Sequence, residues 1–176
     1  MLDNQAASKR FIHWMIIAVV IVVLDQATKW AIIEWVPLYG RVPINDVLNL
    51  THQRNYGAAW SILADAGGWQ RWFFITLATV VSIVLVVWSW KERRMGSTML
   101  IAGLAMVLGG AVGNLVDRVV LGYVTDFIQV WFGSWAFPSF NVADTGITIG
   151  AGLLILDSFL AKPDEESKPE EDTPAP

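Results

Sequence analysis

The chain has 176 residues, 55% of them hydrophobic and only 16% charged, with a formal net charge of −4 and no cysteine. An ordinary soluble domain carries more charge and lacks long apolar runs, so that class is excluded. Disulfides, thiol catalysis and Cys-ligated metal are excluded with the cysteines. The lack of a basic stripe outside short turns argues against a nucleic-acid partner.

Four apolar runs follow one another: Phe11 to Leu24 continuing to Val36, Trp69 to Trp90, Thr98 to Leu121, and Ala143 to Leu160. Each is long enough for a membrane-spanning helix, which needs roughly 20 apolar residues. Lys9 and Arg10 precede span one, and its apolar stretch has no small-x-small cleavage site close behind it, so it reads as a retained span and not a removable signal peptide. Asp25 and Lys29, four apart, share one helix face in its outer half and can form an ion pair.

The connection 37–68 holds a period-two stretch, Val47 to Gln53, in which Leu48, Leu50 and His52 alternate with Asn49, Thr51 and Gln53; this predicts a strand. Asn55-Tyr56-Gly57 predicts a turn through the tolerance of Asn and Gly for positive φ. Ala58 to Leu63 is apolar and suits the membrane interface. After span two, Lys91, Arg93 and Arg94 form a basic turn.

Span three is rich in glycine (Gly103, Gly109, Gly110, Gly113), as is span four (Gly146, Gly150, Gly152); small residues let membrane helices approach closely. Asn114, Asp117 and Arg118 crowd the outer end of span three at spacings of three and four, a face that must look into protein or toward water. Arg118 snorkelling to lipid phosphates is the simpler alternative. The connection 122–142 contains a second predicted strand, Tyr123 to Val130, which carries Asp126; Asp144 opens span four.

Lys and Arg residues before span one, between spans two and three, and at Lys162 fall on one side, which the positive-inside rule makes cytoplasmic, with both termini there. Tryptophans agree, with Trp30, Trp35, Trp60, Trp69, Trp72, Trp131 and Trp135 near the outer boundary and Trp14, Trp88 and Trp90 near the inner one. The fold expected is an all-α membrane protein of four transmembrane helices, residues 1–162, with a small extracytoplasmic β element on the outer membrane face. Residues 163–176 hold six acids and one lysine among prolines and read as a disordered tail, leaving about +1 on the rest of the chain.

The chemistry narrows by elimination. No serine sits in a G-x-S-x-G elbow. His13 and His52 make no metal-binding spacing, and no metal is expected. A G-x-G-D motif of the presenilin type is absent. Asp126 alone is an ordinary loop carboxylate, and Asp144 alone an ordinary first-turn acid. Both belong to the outer boundary, and crowded carboxyls hold one proton near neutrality, so one member can activate water while the other protonates a scissile carbonyl. A small channel or transporter using the polar face of span three, and a scaffold whose aspartates only cap and solvate, are the alternatives; no repeat between the halves supports transport.

Five blocks in order carry a family resemblance: Asp25-Gln26-Ala27-Thr28-Lys29, Asn55-Tyr56-Gly57-Ala58-Ala59-Trp60-Ser61, Gly109 to Arg118 (GGAVGNLVDR), Val124-Thr125-Asp126-Phe127, and Phe140-Asn141-Val142-Ala143-Asp144. Over about residues 11–161 the chain resembles bacterial lipoprotein signal peptidases, the signal peptidase II or A8 family of aspartyl peptidases. Trp60 stands where Phe is common, and the acidic tail is not a family requirement.

The resemblance implies a membrane aspartyl endopeptidase of the bacterial cytoplasmic (inner) membrane with its active site at the periplasmic face and no cofactor. The catalytic pair would be Asp126 and Asp144. Asn55, Asn114, Arg118 and Asn141 would bind substrate, and Asp25, Lys29, Gly57 and Asp117 would support the structure. The implied substrate is a prolipoprotein whose cysteine carries a diacylglyceryl group, cut on that cysteine's N-terminal side. Membrane lipid and the inhibitor globomycin are the other implied partners.

Overall fold

The computed structural model describes residues 3–57 and 67–160. The elements run α1 (Asn4–Trp35), β1 (Arg41–Pro43), β2 (Leu48–Asn55), α2 (Trp69–Glu92), α3 (Thr98–Val120), β3 (Val124–Phe132), β4 (Trp135–Ala136) and α4 (Val142–Leu160). All four helices are long and apolar enough to cross a membrane. The expected interfacial segment Ala58 to Leu63, with Trp60 and Ser61, lies outside the described residues, as do Lys162 and the acidic tail.

The helices begin where the sequence supplies caps. Asp3 accepts from the Ala6 N–H at 2.6 Å and Ser97 from the Leu100 N–H at 2.9 Å, each satisfying a donor that the first turn leaves open. Burial is inverted relative to a soluble protein. Val19, Val23, Val80, Ile83 and Phe159 are exposed, while Asp25, Lys29, Asn114, Asp117 and Asn141 are buried. In lipid the apolar exterior is the satisfied one, and polar groups must find partners inside.

α3 is the central helix and touches each of the other three. Its approach to α4 depends on missing side chains: a Cβ on Gly110 would lie 2.3 Å from the Ala143 carbonyl oxygen, and one on Gly150 would lie 2.8 Å from that of Gly103. Gly109 likewise admits the backbone of α1 at Ala18. Gly152 departs from the expectation of helix packing, since a Cβ there would meet nothing within 4 Å. It lies on a face of α4 that no other described segment covers.

The small sheet caps the end where α1 and α3 finish and α2 and α4 start. Its order is β1-β2-β3-β4, all antiparallel. The two expected strands, Val47 to Gln53 and Tyr123 to Val130, correspond to β2 and β3. β1 is three residues long and ends in a proline, and β4 has only two residues, too little chain for any period to register.

The alternation in β2 is also interrupted. Leu50 pairs with Ile128 but Gln53 pairs with Asp126, so β2 has one residue more than β3 between these points. This β-bulge reverses the facing of everything after it. Leu48 and Leu50 share the face of Ile128, and beyond the bulge Gln53 and Asn55, not His52, continue it. His52 is drawn inward instead, where its Nδ1 meets the Val36 carbonyl at 2.9 Å.

The turn at Asn55-Tyr56-Gly57 forms, for a different reason than expected. Asn55 does not have positive φ; its side chain accepts from the Gly57 N–H at 2.9 Å, closing an Asx turn. Positive φ appears instead at Gly122, where the chain leaves α3 for β3.

Candidate active site

Asp126 sits near the start of β3 and is only 4% exposed. Its Oδ2 accepts from Asn55 Nδ2 at 3.0 Å, a contact across β2 and β3 that exists because the bulge turns Asn55 to the same face. Its Oδ1 accepts from Asn141 Nδ2 at 2.8 Å.

Asn141 is brought there by its neighbour. Phe140 is strapped to β3 by three backbone bonds: its carbonyl accepts from the N–H groups of Phe127 and Ile128, and its N–H donates to the Ile128 carbonyl at 3.0 Å. The next residue, Asn141, starts α4 and serves as its cap. Its Oδ1 accepts from the Asp144 N–H at 2.8 Å, and Asp144 Oδ2 accepts from the Asn141 N–H at 3.2 Å. This is a reciprocal capping box, in which an aspartate takes the place of the usual glutamate or glutamine. The first-turn acid foreseen for Asp144 is therefore real, and the same device delivers its carboxylate to the site.

One fully buried asparagine thus holds both carboxylates. Asn114 on α3 holds Asp144 from the other side, its Nδ2 donating to Asp144 Oδ1 at 2.8 Å. Asn141 Nδ2 also reaches Asn114 Oδ1 at 3.2 Å. Among the described residues no cation makes an ion pair with Asp126 or Asp144. Burial, and then the charge of Asp144, push the Asp126 carboxyl up to about 7, against hydrogen bonds from Asn55 and Asn141 that act the other way.

Both carboxylates line a cavity of about 1000 Å³. Its walls are Phe74, Leu77 and Val81 of α2, Val107 and Ala111 of α3, and Ile147 of α4, so it runs from the polar site down an apolar cleft within the bundle. Arg118 stands at its rim. The guanidinium lies over the Phe74 ring at 4.9 Å, with Nη2 donating to the Gly57 carbonyl at 2.9 Å. Arg118 does not simply snorkel outward; it clamps the turn that follows β2.

Three of the four residues expected to support the structure, Asp25, Lys29 and Asp117, form a second cluster directly behind, while Gly57 lies at the rim on Arg118. Lys29 Nζ lies 2.8 Å from Asp25 Oδ2 and 3.2 Å from Asp117 Oδ2. Asp25 Oδ1 accepts from the Ala143 N–H at 2.9 Å, tying α1 to α4, and Asp117 Oδ2 accepts from the Thr125 N–H at 2.9 Å, tying α3 to β3. Gly113 leaves the room, since a Cβ there would lie 2.7 Å from Asp25 Oδ2. Gln26 escaped individual notice in the sequence. Its Nε2 donates to Asp117 Oδ1 at 2.9 Å and to the Gly113 carbonyl at 3.1 Å. The signal was its place between Asp25 and Lys29 in a membrane span, where a polar side chain needs a partner.

Two carboxylates that line one cleft in a four-span bundle match one class of protein, the membrane-embedded hydrolases of the aspartic type. The comparisons with known proteins agree. The model of the family described as Signal peptidase (SPase) II matches residues 17–160. The chain is 53% identical over 165 residues to the lipoprotein signal peptidase of Ectopseudomonas mendocina, covering 92% of this chain and 96% of that one. It is 46% identical over 164 residues to that of Photorhabdus laumondii, covering 93% and 97%. A solved structure described as "Bacterial membrane enzyme structure by the in meso method at 2.3 A resolution" superposes with a TM-score of 0.77 at 32% identity, covering 89% of this chain and 93% of that one. The chain belongs to the signal peptidase II family. It is an aspartic endopeptidase and a multi-pass protein of the bacterial membrane.

Proposed function

We propose that the chain removes the signal peptide from diacylglyceryl-modified prolipoproteins, with Asp126 and Asp144 as its catalytic pair. The observation that carries the reading is Asn141, one buried side chain that hydrogen-bonds Asp126 while its backbone and cap hold Asp144. Such a bridge fixes two carboxylates against one substrate bond, and positioning of this kind supplies much of a barrier reduction.

At rest the two carboxyls share one proton, and Asp126 is the member that donates it to the substrate. Water sits between the carboxyls. Asp144 takes a proton from it as its oxygen bonds to the scissile carbonyl carbon, and Asp126 gives its proton to the carbonyl oxygen. The resulting diol collapses: Asp144 passes its proton to the leaving nitrogen, the C–N bond breaks, and Asp126 recovers a proton from a diol hydroxyl. Arg118 at the rim holds the substrate backbone together with Asn55, whose amide also bonds Asp126. Asn114 and Asn141 hold the carboxylates, a more inward role than the substrate contact expected of them, and one that suits the complete burial of Asn141.

The cleft between α2, α3 and α4 suits an apolar signal peptide helix and the acyl chains of a lipid-modified cysteine, with cleavage on that cysteine's N-terminal side. A globomycin-type peptide would compete for the same cleft. Orientation follows the basic residues at the opposite end, Lys9, Arg10, Lys91, Arg93 and Arg94, which put both termini in the cytoplasm and the carboxylates at the periplasmic face. Residues 1–162 act as the peptidase unit, and 163–176 as an appendage to it.

The test uses a diacylglyceryl-modified prolipoprotein and mass spectrometry of the product. Asp126→Asn and Asp144→Asn are each expected to lose cleavage by about 10⁴-fold. Full cleavage by either variant would refute the pair. Unmodified prolipoprotein is expected to remain uncut, and a product cut elsewhere than before the modified cysteine would refute the stated cleavage site.

A further inference from the structure

We propose that Lys29 is a positioning residue for the reaction: by fixing which way the Asn114 amide points, it keeps a hydrogen-bond donor aimed at Asp144. The proposal rests on the catalytic pair argued above and assigns Lys29 a task beyond neutralising buried acids.

The geometry leaves little freedom. Lys29 is 2% exposed, and its ammonium has three hydrogens and no lone pair. Two point at Asp25 Oδ2 and Asp117 Oδ2, at 2.8 and 3.2 Å. The third meets Asn114 at 2.9 Å. A donor-only group can face only the oxygen of a carboxamide, so the Asn114 Oδ1 must lie toward Lys29 and the Nδ2 toward the opposite side. That side is Asp144, whose Oδ1 lies 2.8 Å away.

With the amide reversed, Nδ2 would confront the ammonium and the Asn141 Nδ2, which donates to the same Oδ1 at 3.2 Å. Oδ1 would then confront a carboxylate oxygen. Both contacts would be repulsive. Lys29 therefore reaches Asp144 through one side chain. The charged groups around this path are Asp25 on α1, Asp117 and Arg118 on α3, Asp126 on β3 and Asp144 on α4.

A structural role and a positioning role predict different outcomes for a charge-preserving double substitution, Lys29→Met with Asp25→Asn. It removes one cation and one anion, leaving the cluster's net charge unchanged and Asp117 bonded to Gln26 and the Thr125 N–H. The assay uses the full chain in proteoliposomes, with a synthetic diacylglyceryl-modified signal peptide as the probe. The double variant is expected to fold and to keep its KM within about threefold. Its kcat should fall by about 100-fold, the scale for loss of one preorganised hydrogen bond at a reacting group, and its kcat–pH profile should shift relative to wild type. A folded double variant with wild-type kcat and pH profile would overturn the proposal.

If that variant does not fold, Asn114→Asp decides. Its carboxylate keeps an oxygen on Lys29 but presents an acceptor to Asp144. Undiminished thermal stability with at least a 100-fold loss of kcat supports the relay, and retained kcat overturns it. Failure of the catalytic pair itself is distinguishable, because Asp144→Asn would then be active while these variants need not be.

Discussion

Two pairs of acids share one end of the bundle, and their surroundings differ in two respects, a cation and a cavity. Asp25 and Asp117 enclose a lysine, and their oxygens also accept from the Ala143 and Thr125 N–H groups and from Gln26, so each charge is answered. Among the described residues, Asp126 and Asp144 receive only amide N–H groups from Asn55, Asn114 and Asn141, and they face a cavity. A buried acid with a cation is a tie between helices. An acid that is buried, like Asp126, or half-buried, like Asp144, and has no cation is left with a proton to exchange. The two sites meet at Asn114, which touches Lys29 with its oxygen and Asp144 with its nitrogen.

The contrast can be broken most directly by removing charge from each side. Asp126→Asn or Asp144→Asn should lower cleavage by about 10⁴-fold while thermal unfolding stays at or above the wild-type temperature, because no counter-ion is stranded. Lys29→Met should do the reverse to the fold, destabilising it by about 3–5 kcal/mol, since Asp25 and Asp117 remain buried and unpaired. A stable Lys29→Met variant, or an unfolded Asp126→Asn variant, would erase the distinction.

Gly110→Val tests the frame that carries both pairs. Its side chain must displace the backbone at Ala143, whose N–H is bonded to Asp25 and whose helix holds Asp144. A loss of about 1–3 kcal/mol is expected in chemical denaturation, with cleavage falling as well.

A smaller effect comes from pH. The ordinary carboxyl value is 3.8 and Asp126 stands at about 7, so the folded state binds more protons than the unfolded one between these limits. Its contribution to stability therefore declines as pH rises from about 4 to about 7, and is level beyond. Cleavage should likewise decline above about pH 7 as Asp126 loses its proton. Asp126→Asn should flatten the stability profile in that window; an unchanged profile would mean that Asp126 is not the raised carboxyl. The smallest effect is expected at Gly152→Ala, eight residues beyond Asp144 on α4, where thermal unfolding should move by no more than about 0.5 kcal/mol.

Much of this was legible in the chain. The four spans needed only length and apolarity, and their ends fall within a few residues of the observed helices, apart from the start of α1. That start reaches back to Asn4, because Asp3 caps a polar turn that hydropathy does not register. The Asp25–Lys29 pair followed from a spacing of four on a helix. The short strands β1 and β4 did not, because two or three residues carry no period and are strands only by virtue of their neighbours.

The sequence by itself determined the medium, the number of spans, the end of the bundle at which the carboxylates gather, and the residue types available for chemistry. These depend on local quantities: apolar run length, the placement of Lys and Arg, and helix periodicity. Only the tertiary structure decided which polar groups answer one another. The bulge in β2 turned Asn55 toward Asp126, the Phe140 strap set Asn141 between the two acids, and Gly113 made room for Asp25 so that Lys29 was taken by one pair and withheld from the other. Such pairings join residues tens of positions apart, and their strength comes from a shared, water-poor interior that exists only once the helices have packed.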